Sequence, residues 1–102
     1  MPKYIIAYHG GVKFESPEQG AAHMAKWKAW VGELGDAVVN PGTPLAKGKL
    51  INSRGVSDAG ENLLTGFSMI MADSMDAALK MAQRCPYVDH GTVEVAEVME
   101  MK

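Results

Sequence analysis

Histidine and cysteine are the residue types in this chain best suited to acid/base or nucleophilic chemistry. The sequence contains three histidines, His9, His23 and His90, and one cysteine, Cys85. His23 stands out because it falls on the apolar stripe of a predicted helix, where an imidazole needs a hydrogen-bond partner and its charge depends on its neighbours. Near neutral pH such a histidine can act as a general acid or base. The alternative interpretation is a histidine that is hydrogen-bonded within the core.

Cys85 is the natural candidate partner for His23. With a helical rise of ~1.5 Å per residue, the two residues lie about 6 Å apart along two neighbouring helix axes, which side chains can span. Against a nucleophilic role, Cys85 falls at the C-terminal end of the second predicted helix, where backbone carbonyls disfavour a thiolate. The alternative is a small buried residue, the usual environment of a free cysteine.

The remaining motifs point away from metals and nucleotides. The sequence has no His-x-x-x-His or Cys-x-x-Cys spacing, so we predict no metal site and no cofactor. The segment from Gly42 to Lys49 lacks the spacing of a phosphate-binding loop. His90 lies just before the last predicted strand and could reach the mouth of a ligand chamber. A solvated turn before Gly91 is the alternative.

Two strands, Tyr4–Tyr8 and Phe67–Ala72, are apolar at nearly every position. Strand side chains alternate between faces, so such runs indicate a sheet that is buried on both sides. Two predicted helices can cover one face only. We therefore expect a second copy of the chain to cover the other face and to enclose an apolar chamber.

The first helix has clear sequence signals at both ends. Ser16 is a predicted N-cap, Pro17 occupies the first helical position, and Gln19 completes a capping box. Gly35 is expected to end the helix after Leu34. The predicted buried stripe comprises His23, Trp27, Trp30, Val31 and Leu34.

The other elements complete a strand-helix-strand-strand-helix-strand order. Residues 37–39 form a short predicted strand, and Leu50-Ile51 form a fragment before a polar surface loop at 52–60. The second helix is expected from Met75 to Arg84, with Met75, Ala78, Leu79 and Ala82 buried. The last strand is expected from Thr92 to Met101, with a bulge or an edge position.

This order predicts one α+β domain over residues 1–102, with a ferredoxin-like fold and a four-stranded antiparallel sheet. With a formal net charge of −2, the chain lacks the excess of positive charge that proteins use to bind nucleic acid or an anionic membrane. Only five apolar residues separate Lys3 from His9, too few for a signal peptide or a membrane span. We therefore expect a cytoplasmic protein whose partners are a small molecule and its own second copy.

The chain also resembles the YCII-related family of small dimeric α+β barrel proteins. The resemblance rests on the Tyr-Ile-Ile-Ala-Tyr opening strand, His23, Leu34-Gly35, Gly42, Gly66, Ser74–Leu79 and Cys85-Pro-Tyr-Val. It implies a homodimer whose sheets pack face to face, and a His/Asp pair proposed as an active site. His23 matches the histidine of that pair, whereas Cys85 stands where the aspartate is expected.

We thus predict a homodimer that binds a small, partly apolar or aromatic molecule. A catalytic role would be proton transfer, elimination or isomerisation, with His23 as the acid/base and Cys85 as a second candidate. The alternatives are a non-enzymatic ligand-binding or accessory dimer and, on fold analogy, a cofactor-free or haem-using oxygenase. The residues expected to shape the pocket are Tyr4, Tyr8, Met69, Met71 and His90.

Overall fold

The computed structural model describes residues 1–10, 15–58, 60 and 63–99. Within these ranges its helices and strands follow the predicted order, with one added hairpin. They are β1 (Lys3–His9), α1 (Pro17–Leu34), β2 (Val38–Asn40), β3 (Lys49–Asn52), β4 (Gly55–Asp58), β5 (Leu64–Met71), α2 (Met75–Gln83) and β6 (Thr92–Glu97). Short 3-10 turns at Gly35–Ala37 and Pro86–Asp89 follow the two helices.

The main sheet has the strand order β2-β5-β1-β6, and each neighbouring pair is antiparallel. Helix α1 connects β1 to β2, and α2 connects β5 to β6. Both helices contribute to one core, through Trp30 of α1 and through Ala78 and Ala82 of α2. This arrangement confirms the predicted α+β ferredoxin-like fold. In the described residues no helix is long and apolar enough to cross a membrane.

The start and end of α1 are confirmed. Ser16 Oγ accepts a hydrogen bond from Gln19 N at 3.2 Å, and the Gln19 side chain accepts one from Glu15 N at 2.8 Å. Gly35 ends the helix with a φ of 55°, a conformation that favours glycine. Gly10 ends β1 in the same way with a φ of 74°. The sequence predicts a tight turn at Gly10-Gly11, and Gly11 lies outside the described residues.

The predicted buried stripe of α2 is partly wrong. Ala78 and Ala82 are buried, but Met75 and Leu79 are 38% and 41% exposed. The helix instead packs Met81 against the core. The small side chains of Ala78 and Ala82 allow the helix axis to lie close to the sheet. Met75 and Leu79 lie beside this line of contact and remain partly exposed.

The two sides of the main sheet are covered unequally. Tyr4, Ile6 and Tyr8 of β1 face the helices and are buried. The opposite side, which we call the open face, is half-exposed, and no described element of the chain covers it. Its apolar residues are Ile5 and Ala7 of β1, Phe67, Met69 and Met71 of β5, and Ala96 of β6.

The expected irregular loop at 52–60 is wrong. Residues 49–58 form a hairpin in which Leu50 pairs with Ser57 and Ile51 pairs with Val56. The Asn52 side chain accepts a hydrogen bond from Arg54 N at 2.8 Å and stabilises the turn. Ala59 of the predicted loop lies outside the described residues.

The last strand is shorter than predicted. β6 ends at Glu97, although Val98 N still donates to the Lys3 carbonyl oxygen at 2.8 Å. The predicted edge position is confirmed, since β6 is an outer strand of the sheet. Met101, the predicted end of the strand, lies outside the described residues.

Candidate active site

His23 lies on α1 beside the turn that follows α2. Its ring centroid is 5.1 Å from that of His90 and 6.1 Å from that of Tyr87, with edge-to-face geometry in both pairs. The His23 side chain is half-buried. We call His23, Tyr87 and His90 the His23 site.

The surroundings of His23 favour its neutral form. Burial lowers the pKa of His23 below its ordinary value of 6.5, and the nearby His90 and Lys26 lower it further. A neutral imidazole has a free electron pair on one ring nitrogen, so at neutral pH His23 is equipped to accept a proton.

Tyr87 is held firmly in the site. Its hydroxyl donates to the Gly10 carbonyl oxygen at 2.7 Å and lies 2.7 Å from Thr65 Oγ1. Its ring also packs against Tyr8, with centroids 5.1 Å apart. These contacts connect the turn after α2 to β1 and β5, so the ring that flanks His23 has a fixed position.

Gly91 allows the chain to pass between the site and the sheet. A Cβ atom at this position would lie 2.6 Å from the His9 carbonyl oxygen and 2.7 Å from the Tyr87 ring. Only glycine fits there without a shift of backbone or ring. Since Gly91 directly follows His90, this close approach also sets the position of the His90 backbone at the end of the turn.

A buried chain of hydrogen bonds runs beneath the site. Ser68 Oγ donates to the Pro41 carbonyl oxygen at 2.8 Å and therefore accepts from the Tyr8 hydroxyl, 2.7 Å away. The Tyr8 oxygen in turn accepts from Trp27 Nε1 at 3.3 Å, and the Cys85 thiol lies within hydrogen-bonding reach of the Tyr8 hydroxyl. Burial raises the pKa of Tyr8 to about 12.

Cys85 belongs to this buried chain. Its side chain is 1% exposed, and burial raises the pKa of the thiol, although hydrogen bonds from the Tyr87 backbone N–H and from Tyr8 oppose the rise. A thiol in these surroundings stays protonated at neutral pH.

The predicted site residues fall into separate groups. Tyr87 contacts two of the predicted site residues. Its ring packs against His23, and its backbone N–H donates to the Cys85 sulfur. Tyr8 lies under the same site on the helix side of the sheet, whereas Tyr4 is 2% exposed within the helix-side core. The predicted pocket residues Met69 and Met71 lie on the open face instead.

The sequence analysis missed Tyr87, Trp27 and Ser68 as parts of this site. Tyr87 stood within the Cys85-Pro-Tyr-Val motif, so that motif was the available signal. Trp27 was assigned to the core, and nothing in the sequence marked its indole N–H as a donor to Tyr8. Ser68 is the polar residue of an otherwise apolar strand, which is a usable signal for a buried hydrogen bond.

Two further features lie outside the His23 site. On the open face His9 Nε2 lies 3.0 Å from Glu94 Oε1. A groove of about 380 Å³ is lined by Leu45, Ala46, Gly48, Lys49, Leu50 and Leu64. Within the described ranges, no group of three or more His, Cys, Asp or Glu side chains is arranged to hold a metal ion.

Comparison with known proteins supplies a family and a structural relative. The YCII-related domain model matches residues 1–102. Comparison with curated protein sequences finds no match. Among solved structures the fold is similar to 5-chloro-2-hydroxyhydroquinone dehydrochlorinase from Burkholderia phenoliruptrix, in complex with 2,5-dihydroxybenzoquinone. The TM-score is 0.60 at 15% identity, over 97% of this chain and 95% of that chain.

Proposed function

Because this chain belongs to the YCII-related family, we propose that it is a cytoplasmic homodimer that binds a small, partly apolar or aromatic molecule and transfers a proton to or from it. His23 is the acid/base in this proposal. The reaction is a proton transfer, an isomerisation or an elimination, each of which begins with the removal of a proton from carbon or oxygen.

The observation that carries the proposal is the state of His23. The imidazole is half-buried between two rings, and its pKa is lowered, so it is neutral at the pH of a cytoplasm. An imidazole that is already neutral can accept a proton without first losing one, although the lowered pKa makes it a weaker base. His90 lies close enough to repel a proton on His23 and to contact a bound molecule.

The class of ligand is supported by the aromatic side chains and by the structural relative. Tyr87 offers a ring of fixed position next to His23. The relative is named for a dehydrochlorination, which is an elimination, and it was solved with a small quinone. Hydroxyquinones and hydroxyquinols are flat and partly apolar, and their hydroxyl groups can be deprotonated, so they suit a neutral imidazole beside a tyrosine ring.

The experiment uses two compounds named for the relative. Chloride release from 5-chloro-2-hydroxyhydroquinone is measured for the unmodified chain and for His23→Gln, and binding of 2,5-dihydroxybenzoquinone is followed by absorbance. Loss of the base should lower turnover by about 100-fold or more while binding persists. Lys28→Gln, an exposed change on the same helix, is the control and should retain full activity. Equal turnover of His23→Gln and the unmodified chain would contradict the proposal.

Cys85 favours a second candidate, a non-enzymatic ligand-binding or accessory dimer. The family resemblance leads us to expect a carboxylate at this position, but a protonated thiol cannot stabilise an imidazolium as a carboxylate does. This alternative predicts 2,5-dihydroxybenzoquinone binding without chloride release. It also predicts an affinity that stays constant as the pH crosses the titration of His23.

A further inference from the structure

The hairpin formed by β3 and β4 is an apolar arm that its own chain leaves exposed. All eight of its strand residues are exposed. Ile51 and Val56 pair across the strands, so they share one face of the arm, and they are 78% and 67% exposed. Leu50 lies on the other face and lines the groove beside the sheet.

Such an arm needs an additional contact to be stable. A lone two-stranded hairpin is marginally stable in water, because it buries little apolar surface. The chain is also more extended than a compact one of its length. The radius of gyration is 14.7 Å, whereas a compact chain of this length has about 13 Å. An exposed Ile–Val pair on a projecting hairpin is therefore typical of a surface that a partner covers.

The arm leaves the main sheet on the side of β2. After β2 the chain runs beside β5, where Pro44 bridges Gly66 and Leu45 N donates to the Thr65 carbonyl oxygen at 2.9 Å. The other side of the sheet is bordered by β6. The arm and the β6 edge therefore lie on opposite sides of one sheet.

A two-fold dimer with packed open faces can bring either like or unlike edges together. Like edges would place β6 against β6 and bring two copies of the open-face residue Glu94 together, which is unfavourable. Unlike edges place the arm of one copy beside β6 of the other. Charge therefore favours the second arrangement.

The charges of the arm also suit this arrangement. Lys49 is paired with Asp58 at 2.5 Å. Arg54, at the tip of the arm, has no ion pair among the described residues, and Lys47 just before the arm adds a second cation. On β6 the exposed Glu94 lies on the open face, where His9 Nε2 is 3.0 Å from its carboxylate, and the strand itself has no basic residue. A cationic tip would thus meet an anionic edge.

The area of the open face gives a second reason for the arm to take part. The four strands comprise 24 residues (3, 8, 7 and 6), which at about 3.4 Å by 4.8 Å each have a projected footprint of roughly 390 Å², less than the accessible surface of the same patch. A stable interface buries about 800 Å² on each partner. Each face of the arm adds roughly 140 Å² on the same measure.

We infer that the β3–β4 hairpin is a dimerisation arm that packs Ile51 and Val56 against the β6 edge of a second copy of this chain, with Arg54 facing Glu94 of the partner subunit. This inference rests on the homodimer of the proposed function and not on its chemistry. It assigns a task to a hairpin whose eight strand residues the core leaves exposed.

Charge reversal tests the inference in the full chain. The dimer dissociation constant is measured by ultracentrifugation with fluorescence detection, from nanomolar to micromolar concentration, for Arg54→Glu, for Glu94→Lys and for the double variant. Each single change should weaken the dimer by about tenfold, and the double variant should recover most of that loss. Arg84→Glu, which removes an exposed cation paired with Glu33 on the helix side, is the control.

A second pair of variants tests the apolar contact. Ile51→Asp should weaken the dimer by at least about tenfold and leave each subunit folded, because Ile51 touches no core of its own. Leu79→Asp, an apolar-to-acidic change at an exposed position of α2, should leave the dimer unchanged.

The outcomes separate this inference from the proposed function. An unmodified dimer that tolerates Arg54→Glu, Glu94→Lys and Ile51→Asp would overturn the arm and leave the homodimer intact. A double variant weaker than both single variants would also overturn the arm. A chain that stays monomeric at every concentration would overturn the arm and the homodimer together.

Discussion

The two faces of the main sheet come from the same strands but differ in how completely the chain covers them. On the helix side Ile6 is fully buried, and the Tyr8 hydroxyl donates a hydrogen bond to Ser68 Oγ at 2.7 Å. On the open face Ile5, one residue away, is half-exposed. Alternate residues of one strand therefore have different surroundings: one set packs in the core of the subunit, and the other set faces outward.

The largest predicted difference concerns Ile5 and Ile6, the same side chain on opposite faces. Ile6→Ala should lower the free energy of unfolding by about 3 kcal/mol, because it leaves a cavity in the core. Ile5→Ala should cost roughly 1 kcal/mol or less in dilute protein and should weaken the dimer instead. Urea unfolding of both variants checks this prediction. Equal losses of stability at low concentration would contradict it.

A smaller effect is expected at Gly91, where the chain passes the site. The added methyl group of Gly91→Ala would collide with the His9 carbonyl and with the Tyr87 ring. We expect a loss of about 2 kcal/mol in stability and weaker binding of 2,5-dihydroxybenzoquinone.

The matched control for that change is Gly32→Ala. A Cβ atom at Gly32 would meet nothing within 4 Å, and alanine favours a helix by roughly 1 kcal/mol over glycine. Thermal unfolding should therefore show a small gain for Gly32→Ala. A loss at Gly91 no larger than the change at Gly32 would mean that the close approach is unimportant.

The thiol of Cys85 should contribute less. Cys85→Ala removes the hydrogen bond to Tyr8, and we expect a loss of about 1 kcal/mol. Because burial raises the thiol pKa, its contribution should be complete below roughly pH 8.5 and should fall as the pH rises further, since the unfolded thiol then ionises first. Urea unfolding at pH 7 and pH 9.5 measures the loss of stability that the thiol causes as the pH rises. Cys85→Ala should not show this pH-dependent loss.

The smallest predicted effect is a shift in the acid limb of the pH profile. The lowered pKa keeps His23 neutral as the pH falls through its ordinary value of 6.5, so turnover should persist below that pH. His90→Gln removes a neighbour that repels the proton, so the acid limb should move to higher pH. An unchanged limb, measured by chloride release from pH 5 to 8, would exclude His90 as a cause of the shift.

The sequence was sufficient for the main fold because its local signals agree with each other. Ser16, Pro17 and Gly35 specify α1, and the apolar runs of β1 and β5 specify central strands. The hairpin was missed because only Leu50, Ile51 and Val56 mark it, and short strands without a core contact lack a periodic signal.

The candidate site was less predictable than the fold. The position of His23 on a helix could be read from the spacing of apolar residues. Its neighbours could not, because Tyr87 and His90 reach it through a turn whose path depends on Gly91 and on the Tyr87 hydrogen bond to Gly10. Long-range contacts of this kind carry no local signature.

The most direct test of the account is the oxidation of individual methionines by hydrogen peroxide as the protein concentration rises. Met69 and Met71 lie on the open face, whereas Met75 lies on α2 and is 38% exposed. If a second copy covers the open face, mass spectrometry will find Met69 and Met71 protected at high concentration, with Met75 oxidised at an unchanged rate. Oxidation of all three at rates independent of concentration would contradict the account.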